Sequence, residues 1–181
     1  KPARSVLLCA WAGEEKGLLG SRYYVSHPIY PLDRIVAVFQ MDMIGRNEDH
    51  SADEPQGVPE ERASDNTNTV NIIGSAFSPD LKSIISRLND QIRLTLRFRY
   101  DFRAEDLLRR SDQWSFLSKG IPAIFFFAGL HPDYHTPRDT AAKINYPKLE
   151  KITRLVYLAA FEIATNSGHP GYVKPVQPRP Y

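Results

Sequence analysis

Short apolar runs alternate with amphipathic stretches along the chain. Ser5–Trp11 (SVLLCAW), Arg34–Ile44 (RIVAVFQMDMI) and Ala123–Ala128 (AIFFFA) are short and nearly continuously apolar, which predicts strands buried on both faces of a sheet. Thr69–Ser75 (TVNIIGS) reads as a further strand. Leu94–Arg103 has a different period. Leu94, Leu96, Phe98, Tyr100 and Phe102 alternate with Thr95, Arg97, Arg99, Asp101 and Arg103, the pattern of a half-buried strand with one wet face near a sheet edge. Between the strands, Leu18–Ser26 predicts a short helix ended by His27-Pro28. Ser78-Pro79-Asp80 supplies a cap, a first-turn proline and an acid, followed by Leu81, Ile84, Ile85, Leu88 and Ile92 at helical spacing. A short helix carries Trp114, Phe116 and Leu117 and closes at Lys119-Gly120. The last runs from about Pro147 to Asn166, with Leu149, Ile152, Val156, Ala159 or Ala160, and Ile163 on its apolar stripe and Gly168 as the stop. Strands alternating with helices indicate an α/β sheet protein.

Two intervals lack the pattern. Gly45–Asn68 is polar and reads as a long excursion, its charge run from Asp49 to Glu61 a solvated surface. His169–Tyr181 contains four prolines and reads as an extended tail. Residues 1–168 therefore form the expected folded body and 169–181 the tail. At 181 residues, 42% hydrophobic and 24% charged, the chain suits one domain with a sizeable core. A net charge of +2 gives no reason to invoke nucleic acid, and no apolar run approaches the ~20 residues of a membrane span. The single cysteine, Cys9, lies inside an apolar run, which predicts a buried, inert thiol. The start, Lys1-Pro2-Ala3-Arg4, leads at once into strand-like sequence and reads as an excised segment.

Three strand ends carry chemistry. Glu14 and Glu15 follow the first run, Asp42 ends the second, and the loop after Ala128 holds His131, Asp133, His135 and Asp139. Sites in open α/β sheets form at the carboxyl ends of strands. One imidazole with several carboxylates suits zinc or a similar divalent ion, and two adjacent glutamates allow one to bind metal while the other takes a proton from water. Acids at a helix start and a solvated acid at a core rim are the bland alternatives.

The residues in order also resemble a known family. Trp11-Ala12-Gly13-Glu14-Glu15-Lys16-Gly17-Leu18-Leu19-Gly20-Ser21 is similar to the EE-x-G-L-x-G-S segment of the M28 zinc peptidases of the bacterial leucyl aminopeptidase type. Met41-Asp42-Met43-Ile44-Gly45 resembles their D-M-I-G, Ser111-Asp112-Gln113-Trp114-Ser115-Phe116 their S-D-H-x-x-F, and Tyr134-His135-Thr136 with Asp139-Thr140 their Y-H-T-x-x-D-T. The resemblance implies a three-layer α/β/α fold with a mostly parallel, partly mixed central sheet, zinc-exopeptidase-like and truncated at its N-terminus. It implies Glu14 as general base, Glu15, Asp42 and His135 as metal ligands, and a zinc-activated water that hydrolyses N-terminal peptide bonds of a peptide or peptide-like substrate. Two further ligands of the family, a histidine in an H-x-D motif and a bridging aspartate, have no counterpart in Lys1–Ala12. One zinc ion or none is therefore expected here in place of the family's two, with impaired activity and an open sheet edge available for self-association. Gln113 replaces a histidine common in the family, and His131 matches no family ligand. The resemblance favours a secreted or periplasmic location. A glutaminyl-cyclase-like aminoacyltransferase and a catalytically silent binding module of the same fold are the competing readings.

Overall fold

The computed structural model describes residues 2–50, 60–102 and 106–175. Four strands, β1 (Val38–Met41), β2 (Thr69–Ile73), β3 (Thr95–Arg97) and β4 (Ala123–Phe127), form one sheet in the order β1-β4-β2-β3. β1 pairs parallel to β4 and β2 parallel to β3, while β2 and β4 are antiparallel. The expected mixed sheet is therefore present. Because β1 and β4 run the same way, their carboxyl ends emerge together at one edge of the sheet.

β4 sits between two partners and is buried on both faces, and its period of two divides the core. Ile124 and Phe126 meet α2 (Pro79–Ile92) and α4 (Tyr146–Thr165), packing with Val70, Ile72, Leu81, Ile85, Ile152, Leu155 and Ala159. Ala123, Phe125 and Phe127 face the other way, toward Tyr100, Leu107, Leu108 and Leu117. There α3 (Gln113–Leu117) and α1 (Leu19–Ser26) complete the third layer through Tyr24, Val25, Phe116 and Ile121. α2 is capped as its sequence predicts, Ser78 Oγ accepting from Leu81 N at 3.4 Å. α4 is capped by Asn145, whose side chain accepts from Lys148 N at 3.2 Å.

Several expectations are corrected. Ser5–Trp11 is not a buried strand. It is fastened at both ends: Arg4 N donates to Ala164 O at 2.9 Å and the Arg4 guanidinium to Ile163 O at 2.6 Å, Ser167 O at 2.8 Å and Gly168 O at 3.1 Å, closing the carboxyl end of α4. Trp11 packs edge-on to Tyr24, with ring centroids 5.4 Å apart. Between these anchors Val6, Leu7 and Leu8 are 57%, 52% and 92% exposed, since no described strand lies beside them to accept their backbone pairing. Cys9 is likewise exposed, not buried. β1 is shorter than Arg34–Ile44 because only one of its edges is paired and the backbone turns left-handed at Met43, φ 52°. β3 is at the sheet edge as expected, but it covers only Thr95–Arg97. Asp101 beyond it turns to hold the loop that follows β2, accepting from Gly74 N and from Ala76 N at 2.7 Å.

The face expected to be wet is largely dry. Arg97 and Arg99 reach Glu61 at 2.6 and 2.7 Å, and Arg99 also pairs with Glu48. The Glu48 side chain is 2% exposed. It accepts from Tyr100 Oη at 2.6 Å and lies 3.3 Å from His50 Nε2. Buried Glu48 and half-buried Glu61 of the polar excursion are thus ion-pair partners of Arg97 in β3 and Arg99 just beyond it, and the charge run is not simply a solvated surface; residues 51–59 lie outside the described residues. On α4 the buried residue of the first turn is Lys148, and Leu149 is only half-buried. The tail begins by lying on the start of α2, with Gly171 N on Asp80 Oδ2 and Val173 N on Phe77 O, both at 2.8 Å; residues 176–181 lie outside the described residues. Among the described residues no helix is long and apolar enough to cross a membrane.

Candidate active site

Glu14 and Glu15 occupy a single 3₁₀ turn, Glu14–Lys16, bracketed by left-handed backbone at Gly13 (φ 65°), Gly17 (φ 95°) and Leu18 (φ 59°). Two of these positions suit glycine, and the third strains a leucine. Gly20 brings the start of α1 against Ala12, its N–H donating to Ala12 O at 2.8 Å. A Cβ there would lie 2.7 Å from Ala12 N. The glycine spacing thus fixes a tight reversal that turns both carboxylates toward the sheet edge.

Asp42 follows β1 directly. Ser111 Oγ donates to its Oδ2 at 2.9 Å, and Gln40 Nε2 donates to Ser111 Oγ at 3.3 Å. Burial pushes the Asp42 carboxyl up, and the Ser111 hydroxyl only partly offsets this. The neighbouring Asp112 is also buried and shifted upward by burial, and its Oδ1 has no hydrogen-bond partner among the described residues. Gln113 is buried too, its Nε2 donating to Leu108 O at 2.7 Å.

His135 stands on the loop after β4 in left-handed backbone, φ 57°, and its ring stacks on Tyr134 with centroids 3.7 Å apart. Its Nε2 lies 2.6 Å from Glu15 Oε1. The loop is held from below. Asp133 accepts from Arg46 and Lys143, both at 2.8 Å, which holds its carboxyl well below the usual carboxylate range. Asp49 N donates to Leu130 O at 2.8 Å. Gly129 (φ 120°) packs where any Cβ would overlap the Glu48 side chain. The buried Glu48 network therefore forms the bed for the His135 loop. His131 is buried beside the same loop, its Nε2 3.7 Å from Asp139 and its Nδ1 without a hydrogen-bond partner among the described residues.

The four residues singled out in the sequence line one open cleft of about 1030 Å³. Glu14, half-buried, is the most perturbed of them. Burial first, then the Asp42, Glu15 and Asp112 carboxylates, push its carboxyl up to about 7 against a smaller opposing effect of His135. The donor set suits zinc in kind, with one imidazole among carboxylates. It does not suit zinc in number: among the described residues no three His, Cys, Asp or Glu side chains are gathered closely enough to hold a metal ion. Glu15 and His135 are paired, while Asp42 is bonded to Ser111 and lies within electrostatic reach of Glu14 and Glu15. Two contributors escaped sequence reading, Ser111 as donor to Asp42 and Arg46 as tether of the loop. The first lay inside a recognised motif; the second had no motif to mark it.

The model of peptidase family M28 matches residues 1–160. The chain belongs to this family. Among solved structures, the M28 chain is similar to the LapA aminopeptidase of Legionella pneumophila, at 25% identity and a TM-score of 0.62 over 86% of this chain and 38% of LapA. It has the fold of BSAP, a zinc aminopeptidase from Bacillus subtilis, at 23% identity and a TM-score of 0.62 over 88% of this chain and 36% of BSAP. An Acidobacteriales bacterium glutaminyl cyclase shares the fold more distantly, at 18% identity and a TM-score of 0.51 over 86% of this chain and 48% of the cyclase. A comparison with curated proteins found no match. This chain of the M28 family thus spans less than half the length of each of these structures.

Proposed function

We propose that this chain carries the proton-handling side of an aminopeptidase site. The observation behind the reading is the convergence of Glu14, Glu15, Asp42 and His135 on one cleft at the carboxyl ends of β1 and β4. Glu14, with a carboxyl near 7, is suited to accept a proton at Oε from a water attacking the scissile carbonyl and to return it to the departing amine. Glu15 and His135 orient one another, and Asp42 is held by Ser111. Zinc, expected from the family, would need donors beyond those gathered among the described residues, so hydrolysis by this chain is weak. The bare outer edge of β1 and the exposed Val6–Cys9 stretch add self-association to the same reading.

Hydrolysis of leucyl-anilide substrates tests this. Turnover should be low and should rise with pH through about 7, because the base must be a carboxylate. Glu14→Gln should lower it by about 10²-fold or more. Turnover unchanged in Glu14→Gln would make the site a relic. Cyclisation of Gln-initiated peptides without anilide hydrolysis would transfer the site to aminoacyl transfer.

A further inference from the structure

The cleft carries positive charge that the proposed chemistry does not use. Four arginines line it: Arg22, Arg46, Arg109 and Arg110. Arg46 is committed to Asp133 and Asp139. Arg109 reaches Asp106 at 3.1 Å and lies over the Trp114 ring, 5.0 Å from its centroid. Arg22 and Arg110 are exposed at the cleft and make no ion pair or side-chain hydrogen bond among the described residues. Arg110 is well anchored despite its exposure. Its backbone N–H closes the Leu107–Arg109 turn on Leu107 O at 3.2 Å, and the next residue is the buried Ser111 that donates to Asp42. The Tyr134 phenol, stacked on His135, stands within the electrostatic reach of Arg110 and also of Glu14, Glu15 and Asp42. One cleft therefore presents three carboxylates and an uncommitted guanidinium around the same aromatic ring, over a floor that includes Phe125 and Phe127.

We propose that Arg110 binds the C-terminal carboxylate of a short peptide whose N-terminal ammonium faces the Glu14, Glu15 and Asp42 carboxylates of the same cleft, which makes di- and tripeptides with a free C-terminus the preferred substrate class. This rests on the peptide-cleft reading above and narrows it. Two or three residues of extended chain span roughly 7–10 Å, so both charged ends of so small a ligand can be met inside one cleft. The fork of a guanidinium matches a carboxylate in two-point geometry. A peptide of ten residues gains nothing from this contact, because its carboxylate lies far outside.

Calorimetric titration of the chain with Leu-Leu, with Leu-Leu-amide and with acetyl-Leu-Leu-amide tests the assignment. The free acid should bind about 10-fold or more tightly than the amide at low salt, the scale of a charge-assisted pair, and the advantage should shrink as salt screens it. Arg110→Gln should bring the acid down to the amide's affinity, and Arg110→Lys should restore part of the difference. Acid and amide binding equally, or a preference that survives Arg110→Gln, would overturn the proposal while leaving the peptide cleft standing. Failure of all three ligands to bind would overturn the peptide-cleft reading itself, and the proposal with it.

Discussion

β4 and the Ser5–Trp11 segment carry nearly the same kind of sequence, AIFFF against SVLLCAW, yet Phe126 is fully buried and Leu8 is 92% exposed. The difference lies in their neighbours. β4 has β1 on one side, β2 on the other, α2 and α4 over one face and α3 beneath the other. Ser5–Trp11 has anchors at its two ends and no strand alongside among the described residues. An apolar run states that burial is favourable; it does not supply the partners. The sheet around β4 is therefore a filled side of the molecule and Ser5–Trp11 a bare one.

The largest contrast is in packing. Phe126→Ala should cost about 3–5 kcal/mol of stability by urea unfolding, the usual cost of emptying a buried aromatic site, while Leu8→Ala should stay within about 0.5 kcal/mol. Equal losses at the two positions would erase the distinction. The next contrast is electrostatic. On the filled side Lys148 is buried, and its ammonium titrates at about 8; burial lowers it, Arg97 adds to that, and Glu48 opposes it. The unfolded chain holds that proton to higher pH, so between about pH 8 and the ordinary lysine range near 10.4 the unfolded state binds more protons and stability rises with pH. After discounting for screening, a gain of about 1–2 kcal/mol is expected across that window. It should be absent in Lys148→Met when denaturation midpoints are followed against pH. The smallest effect in free energy is on the bare side. Cys9 should react with a thiol reagent in the dilute native chain without denaturant, and more slowly at high concentration as edges associate. Protection of Cys9 in dilute solution would mean the segment is covered after all.

The same contrast explains what could be read from the sequence. The helices and β4 were legible because each had its own signal: a cap at Ser78, a stripe at Leu81, Ile85, Leu88 and Ile92, a run bounded by Pro122 and Gly129. Strand lengths were not, since β1 and β3 end where pairing ends, a property of neighbours. Arg97 and Arg99 alternate as solvated residues would, and only the fold brings Glu48 and Glu61 from the distant excursion to meet them. In the cleft, Glu14, Glu15, Asp42 and His135 could be picked out because each lies within a motif, and Asp42 and His135 also follow strands. Asp112 carried no signal of its buried, unpartnered oxygen, and Arg46 none of its tie to the His135 loop, because both depend on contacts across more than sixty residues of chain.

Among the described residues only part of a zinc-binding set is gathered, with Glu15 paired to His135 and Asp42 bonded to Ser111. Calorimetric titration of the metal-free chain with zinc measures it directly. At most one weakly bound ion is expected, abolished by His135→Ala. Tight binding of two ions would contradict it.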